Sequence, residues 1–330
     1  MSTQQSYPLN SFDVYLLRSW LVEIAVPWLL YGINAMLLLF LSYILLSQQN
    51  HPTKPQLILL ILVVFMLILS TACVTLETQF TLEQLPFLSE GLTDAKFDYI
   101  VHKSAHIRIA LGVLGRTNYI IGDGIVVWRA WIMFPYNQLV KNILILCMLA
   151  SFVGTFADAG LAAASFQRLQ LGSTTNDLIM AIPLLVTNII ATGLNGYKAY
   201  LHNKDIREHL SQCDTHVTKA QKILLLLVES GMVYCGIWIA TICVLAAANE
   251  AKVELTLAYL IFFTSLPFLS ALYPILIILL VALERSKEDI RSMNEMSLSQ
   301  SIRFASAQPA ASQSESQREP RLSFNTSISE

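Results

Sequence analysis

The chain has 330 residues, of which 55% are hydrophobic and 13% charged, and its formal net charge is −2. Soluble domains carry about a quarter charged residues, so this chain has too few polar groups to cover its apolar surface in water. No basic stripe is present, and nucleic acid is therefore excluded as an expected partner. The composition predicts an integral membrane protein whose surface is covered by the lipid bilayer.

Residues 1–20 are predicted to form a short extracellular N-terminal segment. The first ten residues are polar and contain no basic run followed by a short apolar core, so no cleaved signal peptide is expected. The first helix is therefore expected to serve as an uncleaved anchor.

Seven apolar stretches follow between residues 21 and 283. A helix needs about 20 mostly apolar residues to cross roughly 30 Å of hydrocarbon. The predicted spans are 24–46, 57–74, 107–134, 139–164, 178–200, 223–248 and 255–283. They predict an all-α fold, a seven-transmembrane-helix bundle followed by a disordered C-terminal tail.

Residues 77–106 form the longest predicted external loop, and a loop of this length usually covers the bundle mouth or is disordered. Within it, Asp98, His102 and His106 would share one face of any helix that formed. That spacing is compatible with a divalent metal, but no further ligand is visible. A solvated surface is the favoured interpretation, and we predict no metal site.

Lysine and arginine are more frequent beside the first, third and fifth predicted loops and the start of the tail than on the opposite side. Positive charge marks the cytoplasmic face of membrane proteins. The N-terminus is therefore predicted to lie outside and the C-terminus in the cytoplasm. For this multi-pass protein we expect the plasma membrane in preference to an internal one.

The third span carries three ionisable residues, Arg116, Asp123 and Arg129. Each costs about 2.5–3.5 kcal/mol at the bilayer centre on insertion scales, so each requires an explanation. One stripe of this helix contains Gly112, Arg116, Tyr119 and Asp123. A stripe of small and polar side chains is expected to face the bundle and not the lipid.

Depth in the membrane suggests partners for these groups. Asp158 lies in the outer part of the fourth span and is expected to pair with Arg116. Near the cytoplasmic side, Arg129 is expected to bridge to Glu229, with Asn195 completing the cluster.

Asp123 has no obvious cation and is the residue expected to bind a proton, a cation or a ligand amine. The ligand or ion candidates are thus Arg116, Tyr119, Asp123 and Asp158, and the cytoplasmic switch candidates are Arg129, Asn195 and Glu229. The alternative is that all of these side chains are structural contacts between helices.

Residues 284–330 are serine-rich, poor in large apolar residues and predicted to be a disordered cytoplasmic tail. Ser306 and Ser323 each follow an arginine by two or three positions, Arg303 and Arg321. Basic-directed kinases favour this arrangement, so both serines are phosphorylation candidates.

Four segments carry a resemblance to a known group of proteins. They are GDGIVVWRAW at 122–131, TNIIATGLNGYKAY at 187–200, LLLLVESGMVYCGIW at 224–238 and LYPILIILLVAL at 272–283. They resemble the seven-helix integral membrane proteins of mushroom-forming (basidiomycete) fungi, a family with no assigned activity. The resemblance implies the architecture and places Asp123, Arg129, Asn188, Asn195 and Glu229 in segments that recur in the family.

Three classes of function remain to be weighed. A receptor-like sensor of an unknown external small molecule, signalling to a cytoplasmic partner, is favoured by seven spans, an external N-terminus and a serine-rich tail. The alternative is a small-solute or ion transporter using the stripe of Arg116 and Asp123, although the two halves show no internal repeat. An enzyme is not expected, because all six histidines fall in predicted loops and no catalytic residue or cofactor site is visible.

Overall fold

The computed structural model describes residues 11–47, 54–88, 94–167, 174–209, 219–251 and 257–306. Within these ranges all regular structure is helical and no strand occurs. The seven helices are α1 (Ser11–Ser47), α2 (Lys54–Gln84), α3 (Asp94–Met133), α4 (Gln138–Gln167), α5 (Thr174–His209), α6 (Lys219–Ala251) and α7 (Leu257–Ser306). A short 3-10 helix, Leu85–Leu88, follows α2. The predicted all-α fold with seven helices is confirmed.

Six of these helices are long and apolar enough to cross a membrane. They contain the segments Val14–Ser47, Gln56–Gln84, Gln138–Ser165, Asp177–Leu201, Leu224–Ala247 and Leu260–Glu284. The exception is α3, whose apolar stretch is interrupted by Arg116, Asn118 and Asp123. Its role as the seventh span stays a prediction.

The predicted external loop 77–106 is wrong for most of its length. Helix α2 continues to Gln84, the 3-10 helix follows directly, and α3 already begins at Asp94. Between residues 75 and 85 there is no glycine or proline to end α2, and Asp94 in the first turn of α3 suits the positive end of the helix dipole. Asp98, His102 and His106 therefore lie on a helix.

The tail prediction is also corrected in part. The chain divides into two units, Met1–Ala282 and Leu283–Glu330. In the second unit the backbone remains helical as far as Ser306, because no glycine or proline occurs between Pro274 and Pro309. The predicted disorder is thus wrong for residues 284–306. Ser306 is the last helical residue, and Ser323 lies outside the described residues.

The bundle of the first unit has the polarity expected for a protein in lipid. Large apolar side chains point outward on several helices, with Leu46 82%, Leu146 69% and Met36 70% exposed. Polar side chains such as Asp123 and Ser151 are fully buried. An apolar exterior around a partly polar interior is the arrangement that a bilayer, and not water, stabilises.

Helix α7 is the most buried of the six apolar helices. Of its most apolar 18-residue segment, 61% of the residues are buried, against 33% or less in the other five helices. One of the prolines of α7, Pro267, lies against α3, where a glycine permits close approach. A Cβ on Gly115 would lie 3.2 Å from the Cγ atom of Pro267. Small residues at such crossings let helix backbones approach closely.

Candidate functional site

A buried polar column runs along one face of α3, and we define it as the residues from Arg116 to Arg129 on that face together with their partners. Buried residues recur on α3 at Gly115, Asn118, Tyr119, Gly122 and Asp123. Their spacing of three or four places them on a single helical stripe. The predicted stripe therefore faces the interior of the bundle.

At one end of the column, the predicted pairing of Arg116 with Asp158 is confirmed. The Nε and Nη2 atoms of Arg116 each lie 2.6 Å from Oδ2 of Asp158. The carboxylate is fully buried, whereas 15% of the arginine side chain is exposed. A Cβ at Gly112 would lie 2.6 Å from Nη1 of Arg116, so the glycine leaves room for the guanidinium group.

A second carboxylate at this end was missed by the sequence reasoning. Oδ1 of Asp177 lies 3.9 Å from Nη2 of Arg116. Asp177 occupies the first turn of α5, just before the predicted start of the fifth span, and was therefore not counted among the membrane residues. Its position one residue before an apolar run was the signal available in the sequence.

In the middle of the column, Asp123 joins α3 to α4 and α5. Its Oδ1 accepts a hydrogen bond from Nδ2 of Asn188 at 2.7 Å, and its Oδ2 lies 3.2 Å from Oγ of Ser151. The Ser151 hydroxyl lies 2.8 Å from Oγ1 of Thr187, which lies 3.2 Å from the carbonyl oxygen of Cys147. No ion pair involves Asp123 among the described residues, as the sequence suggested.

The opposite side of the same stripe faces α6 and α7. The hydroxyl groups of Tyr234 and Ser270 lie 3.0 Å apart. A Cβ on Gly122 would lie 3.3 Å from Oγ of Ser270, so α3 and α7 are closely packed at this glycine. Tyr119 packs edge-on against Trp238 with ring centroids 5.4 Å apart. Its predicted role in ligand binding stays a prediction, because the observed contact is one of packing.

Helices α1 and α2 are tied to the column by asparagines that the sequence reasoning did not single out. Nδ2 of Asn118 donates to Oγ of Ser70 at 3.1 Å. On α1, Nδ2 of Asn34 donates to the carbonyl oxygen of Phe268 in α7 at 3.0 Å. Both asparagines are almost fully buried within apolar stretches, and this position was the available signal.

At the other end of the column, the predicted bridge between Arg129 and Glu229 is wrong. No ion pair joins them among the described residues, Glu229 is exposed, and the polar side chain next to Arg129 is instead that of Tyr273 of α7. The prediction matched the two residues by their depth in the membrane, but it did not consider which face of α6 carries Glu229. On α6 the buried residue Leu227 lies two positions, or about 200° of rotation, from Glu229.

Asn195, the third predicted member of that cluster, is 2% exposed. Its Oδ1 atom finds no hydrogen-bond partner among the described residues. Its role as a cytoplasmic switch residue stays a prediction, as do those of Arg129 and Glu229.

A second charged cluster lies on α1, α2 and α3, away from the column. Glu23 of α1 is 6% exposed, and the charges of Glu23 and Glu77 both act on Arg108 of α3. The guanidinium group of Arg108 lies 4.2 Å from the centroid of the Phe80 ring. Sequence reasoning missed this cluster because Glu23 precedes the predicted first span by one residue.

In the described part of the chain, no three His, Cys, Asp or Glu side chains are grouped so that they would hold a metal ion. A groove of about 470 Å³ lies on the outer surface of α1 and has an apolar lining. Its lining residues are Trp28, Leu29, Gly32, Ile33, Met36 and Leu37. Its position suits a lipid acyl chain and not a polar ligand.

No protein-family model, curated protein or solved structure matches this chain. The fold and the buried column are therefore the basis for any statement about function. Six helices are long and apolar enough to span a bilayer, and the surface is apolar while the interior is partly polar. The chain is a multi-pass helical bundle of the membrane-protein type.

Proposed function

We propose that this protein is a receptor-like sensor in which α3 relays a change from an external small-molecule site to a cytoplasmic surface. The observation that carries the proposal is the buried polar column. It brings α3 into contact with α2, α4, α5, α6 and α7, and it runs from the Arg116 ion pair to Arg129.

The ends of the column suit different tasks. Arg116 is 15% exposed and lies between two carboxylates, so a polar or charged ligand arriving from that side can compete for its ion pair. Arg129 at the other end lies next to Tyr273, about one turn before α3 ends at Met133. A rotation of α3, or its movement along the membrane normal, would change the contacts of both Arg116 and Arg129.

The middle of the column favours a relay over a conduit. Asn118, Asp123 and Ser151 are each 0% exposed and hydrogen-bonded to neighbouring helices. A small-solute or ion transporter, the alternative, requires a site that water reaches alternately from each side. A closed, hydrogen-bonded interior such as the one in the described residues favours a switch in which helices move between discrete arrangements.

The orientation and location belong to the same proposal. We place the N-terminus outside, the C-terminus in the cytoplasm and the bundle in the plasma membrane, with α3 as the seventh span. Positive charge beside the loops of one side supports this orientation. We also propose that the protein is related to the fungal seven-helix family, that it binds a ligand whose identity is unknown, and that it signals to a cytoplasmic partner. The proposal assigns no catalytic step.

The proposal is tested by asking whether one end of α3 controls the other. Spin labels at Tyr136→Cys, which is 98% exposed in the turn after α3, and Leu225→Cys on α6 report the distance across the proposed cytoplasmic surface. The labels are introduced after the five native cysteines are replaced, and the protein is studied in lipid nanodiscs. Arg116→Gln is expected to shift this distance distribution by a few ångströms, on the scale of helix movements at switching interfaces.

Thr117→Val is the matched control, since the Thr117 hydroxyl donates to the carbonyl oxygen of Val113 in its own helix. This variant is expected to leave the distances unchanged. Identical distributions in wild type and Arg116→Gln would overturn the relay. Steady proton or ion flux through the protein in sealed liposomes, lost in Asp123→Asn, would favour the transporter instead.

A further inference from the structure

We propose that Asp123 is a proton-binding site and that its carboxyl group carries a proton in this structure. The bound proton completes a chain of hydrogen bonds that runs from α3 through Ser151 and Thr187 to the backbone of α4. This inference does not depend on the protein being a receptor, since it rests on the contacts of Asp123 alone.

Three contacts between oxygen atoms link Asp123 to the backbone of α4. Oδ2 of Asp123 lies 3.2 Å from Oγ of Ser151, which lies 2.8 Å from Oγ1 of Thr187, which lies 3.2 Å from the Cys147 carbonyl oxygen. Each contact needs one proton between two oxygens. The two hydroxyl groups supply one proton each, and a carbonyl oxygen supplies none.

A proton on Asp123 supplies the third. The carboxyl O–H then donates to Ser151, the Ser151 hydroxyl donates to Thr187, and the Thr187 hydroxyl donates to the Cys147 carbonyl oxygen. An ionised Asp123 would leave one of the three contacts as two oxygens facing each other without a hydrogen. Buried oxygens are rarely left in that state.

The other carboxyl oxygen of Asp123 accepts a hydrogen bond from an amide group. Nδ2 of Asn188 lies 2.7 Å from Oδ1 of Asp123 and 2.8 Å from the carbonyl oxygen of Leu184, so both of its N–H groups are used. In a neutral carboxyl group, the C=O oxygen accepts a hydrogen bond from a neighbouring donor, and the O–H group donates one to a neighbouring acceptor. The two observed neighbours, an amide nitrogen and a hydroxyl, provide one of each.

Among the described residues, no cation forms an ion pair with Asp123. The titratable groups that act on it are Cys147 of α4 and Tyr234 and Cys235 of α6, all neutral in their ordinary forms. On α3 itself the nearest arginines are six and seven residues away, roughly 9–10 Å along the axis. An ionised carboxylate that is 0% exposed would be left without compensation.

The geometry also indicates which movement releases the proton. Gly122 lies against Ser270 of α7 and near the Tyr234 hydroxyl, so α6 and α7 close this side of the site. Pro274 lacks an N–H group for the Ser270 carbonyl four residues earlier, which weakens α7 at this level. Separation of α6 and α7 from α3 would admit water to Asp123 and allow it to ionise.

Infrared spectroscopy of the full chain in lipid nanodiscs tests the proposal directly. A protonated carboxyl group has a C=O stretching band well separated from the bands of an ionised carboxylate. At neutral pH the difference spectrum of wild type minus Asp123→Asn is expected to show loss of a protonated carboxyl band. A difference confined to ionised carboxylate bands would overturn the proposal.

Asp158→Asn is the matched control, because Asp158 is paired with Arg116 and is expected to lose only carboxylate bands. A second variant keeps the test valid if Asp123→Asn does not fold. In Ser151→Ala the acid loses its acceptor, and the protonated band is expected to move to higher frequency. An unmoved band would contradict the chain of hydrogen bonds.

Sodium ions provide the remaining test. If Na⁺ added at constant pH removes the protonated band from wild type, the natural occupant is a metal cation and the proton-binding proposal fails. A spectrum that does not respond to Na⁺ supports the proton. Neither result depends on a ligand or a signalling partner, so the receptor proposal stands or falls separately.

Discussion

Arg116 of α3 and Asp158 of α4 form a buried ion pair in which two guanidinium nitrogens, Nε and Nη2, lie 2.6 Å from one carboxylate oxygen. The other oxygen of Asp158, Oδ1, has no hydrogen-bond partner in the described part of the chain. The pair thus neutralises charge inside the bundle at one end of the polar column. It also leaves acceptor capacity for a further group.

Removing one member of this pair is expected to be costly. Asp158→Ala leaves the largely buried Arg116 charge with only the more distant carboxylate of Asp177, and a loss of about 3 kcal/mol in unfolding free energy is expected, at the low end for a broken buried pair. Replacing both residues with leucine is expected to restore most of that loss, since similar apolar replacements of buried pairs are often neutral. Denaturant titration followed by tryptophan fluorescence measures both.

The exposed pair between Lys103 and Glu83 serves as the control. Its side chains are 42% and 30% exposed, so water screens the charges. Glu83→Ala is expected to leave the unfolding midpoint unchanged. Equal losses in Glu83→Ala and Asp158→Ala would contradict a special role for burial.

Helix crossing α4–α5 offers a test of close packing. A Cβ on Gly154 would lie 2.8 Å from the carbonyl oxygen of Ile179, a group that Pro183 leaves without its usual N–H partner. Gly154→Ala is therefore expected to lower stability by about 1–3 kcal/mol, because backbone has to move. Thermal unfolding of the purified protein is a sufficient readout.

Gly160, on the same helix, has open space around the corresponding position. Gly160→Ala is expected to raise stability by about 0.5–1 kcal/mol through reduced freedom of the unfolded chain. The two alanine variants are thus predicted to shift the melting temperature in opposite directions. Shifts of the same sign would show that the α4–α5 contact is looser than described.

Two substitutions distinguish the contact between Arg129 and Tyr273 from an ion pair between Arg129 and Glu229. Tyr273→Phe removes the hydroxyl next to the half-buried Arg129, and a loss of about 0.5–1.5 kcal/mol in unfolding free energy is expected. Glu229→Gln is expected to have no effect, since that side chain is exposed. The reverse ranking in a chemical denaturation series would restore the original pairing.

The number of membrane crossings has a direct test. If α3 spans the bilayer together with the six apolar helices, the two ends of the chain lie in different compartments. Epitope tags at the two termini are then expected to differ in antibody access on intact and permeabilised cells. Tags found in the same compartment would mean an even number of crossings and would remove the relay proposal.

Pairings along the column show where reasoning from sequence succeeded and where it failed. Arg116 and Asp158 were matched correctly because both lie on stripes that also contain small residues, so depth and direction agreed. Arg129 and Glu229 were matched by depth alone, and Glu229 proved to lie on the exposed face of α6. Depth follows from counting residues, but direction requires knowing which face of each helix is buried.

The partners of Asp123 illustrate a further limit. That Asp123 lacks a cation was apparent from the sequence, because no lysine or arginine lies at its depth on a neighbouring span. Ser151, Thr187 and Asn188 are common residues in apolar helices, and nothing in their spacing distinguishes them from other hydroxyl and amide groups. They meet only because α3, α4 and α5 cross at this level.

Hydropathy and length alone predicted that the chain is helical, that its surface suits lipid, and that Asp123 and Arg116 face inward. These properties depend on the local cost of exposing backbone and charge to hydrocarbon, which each segment meets by itself. The residue that lies next to Arg129 and the hydrogen-bond partners of Asp123 depended on the packed bundle. They are set by rotation and crossing of helices, which many residues far apart in sequence determine together.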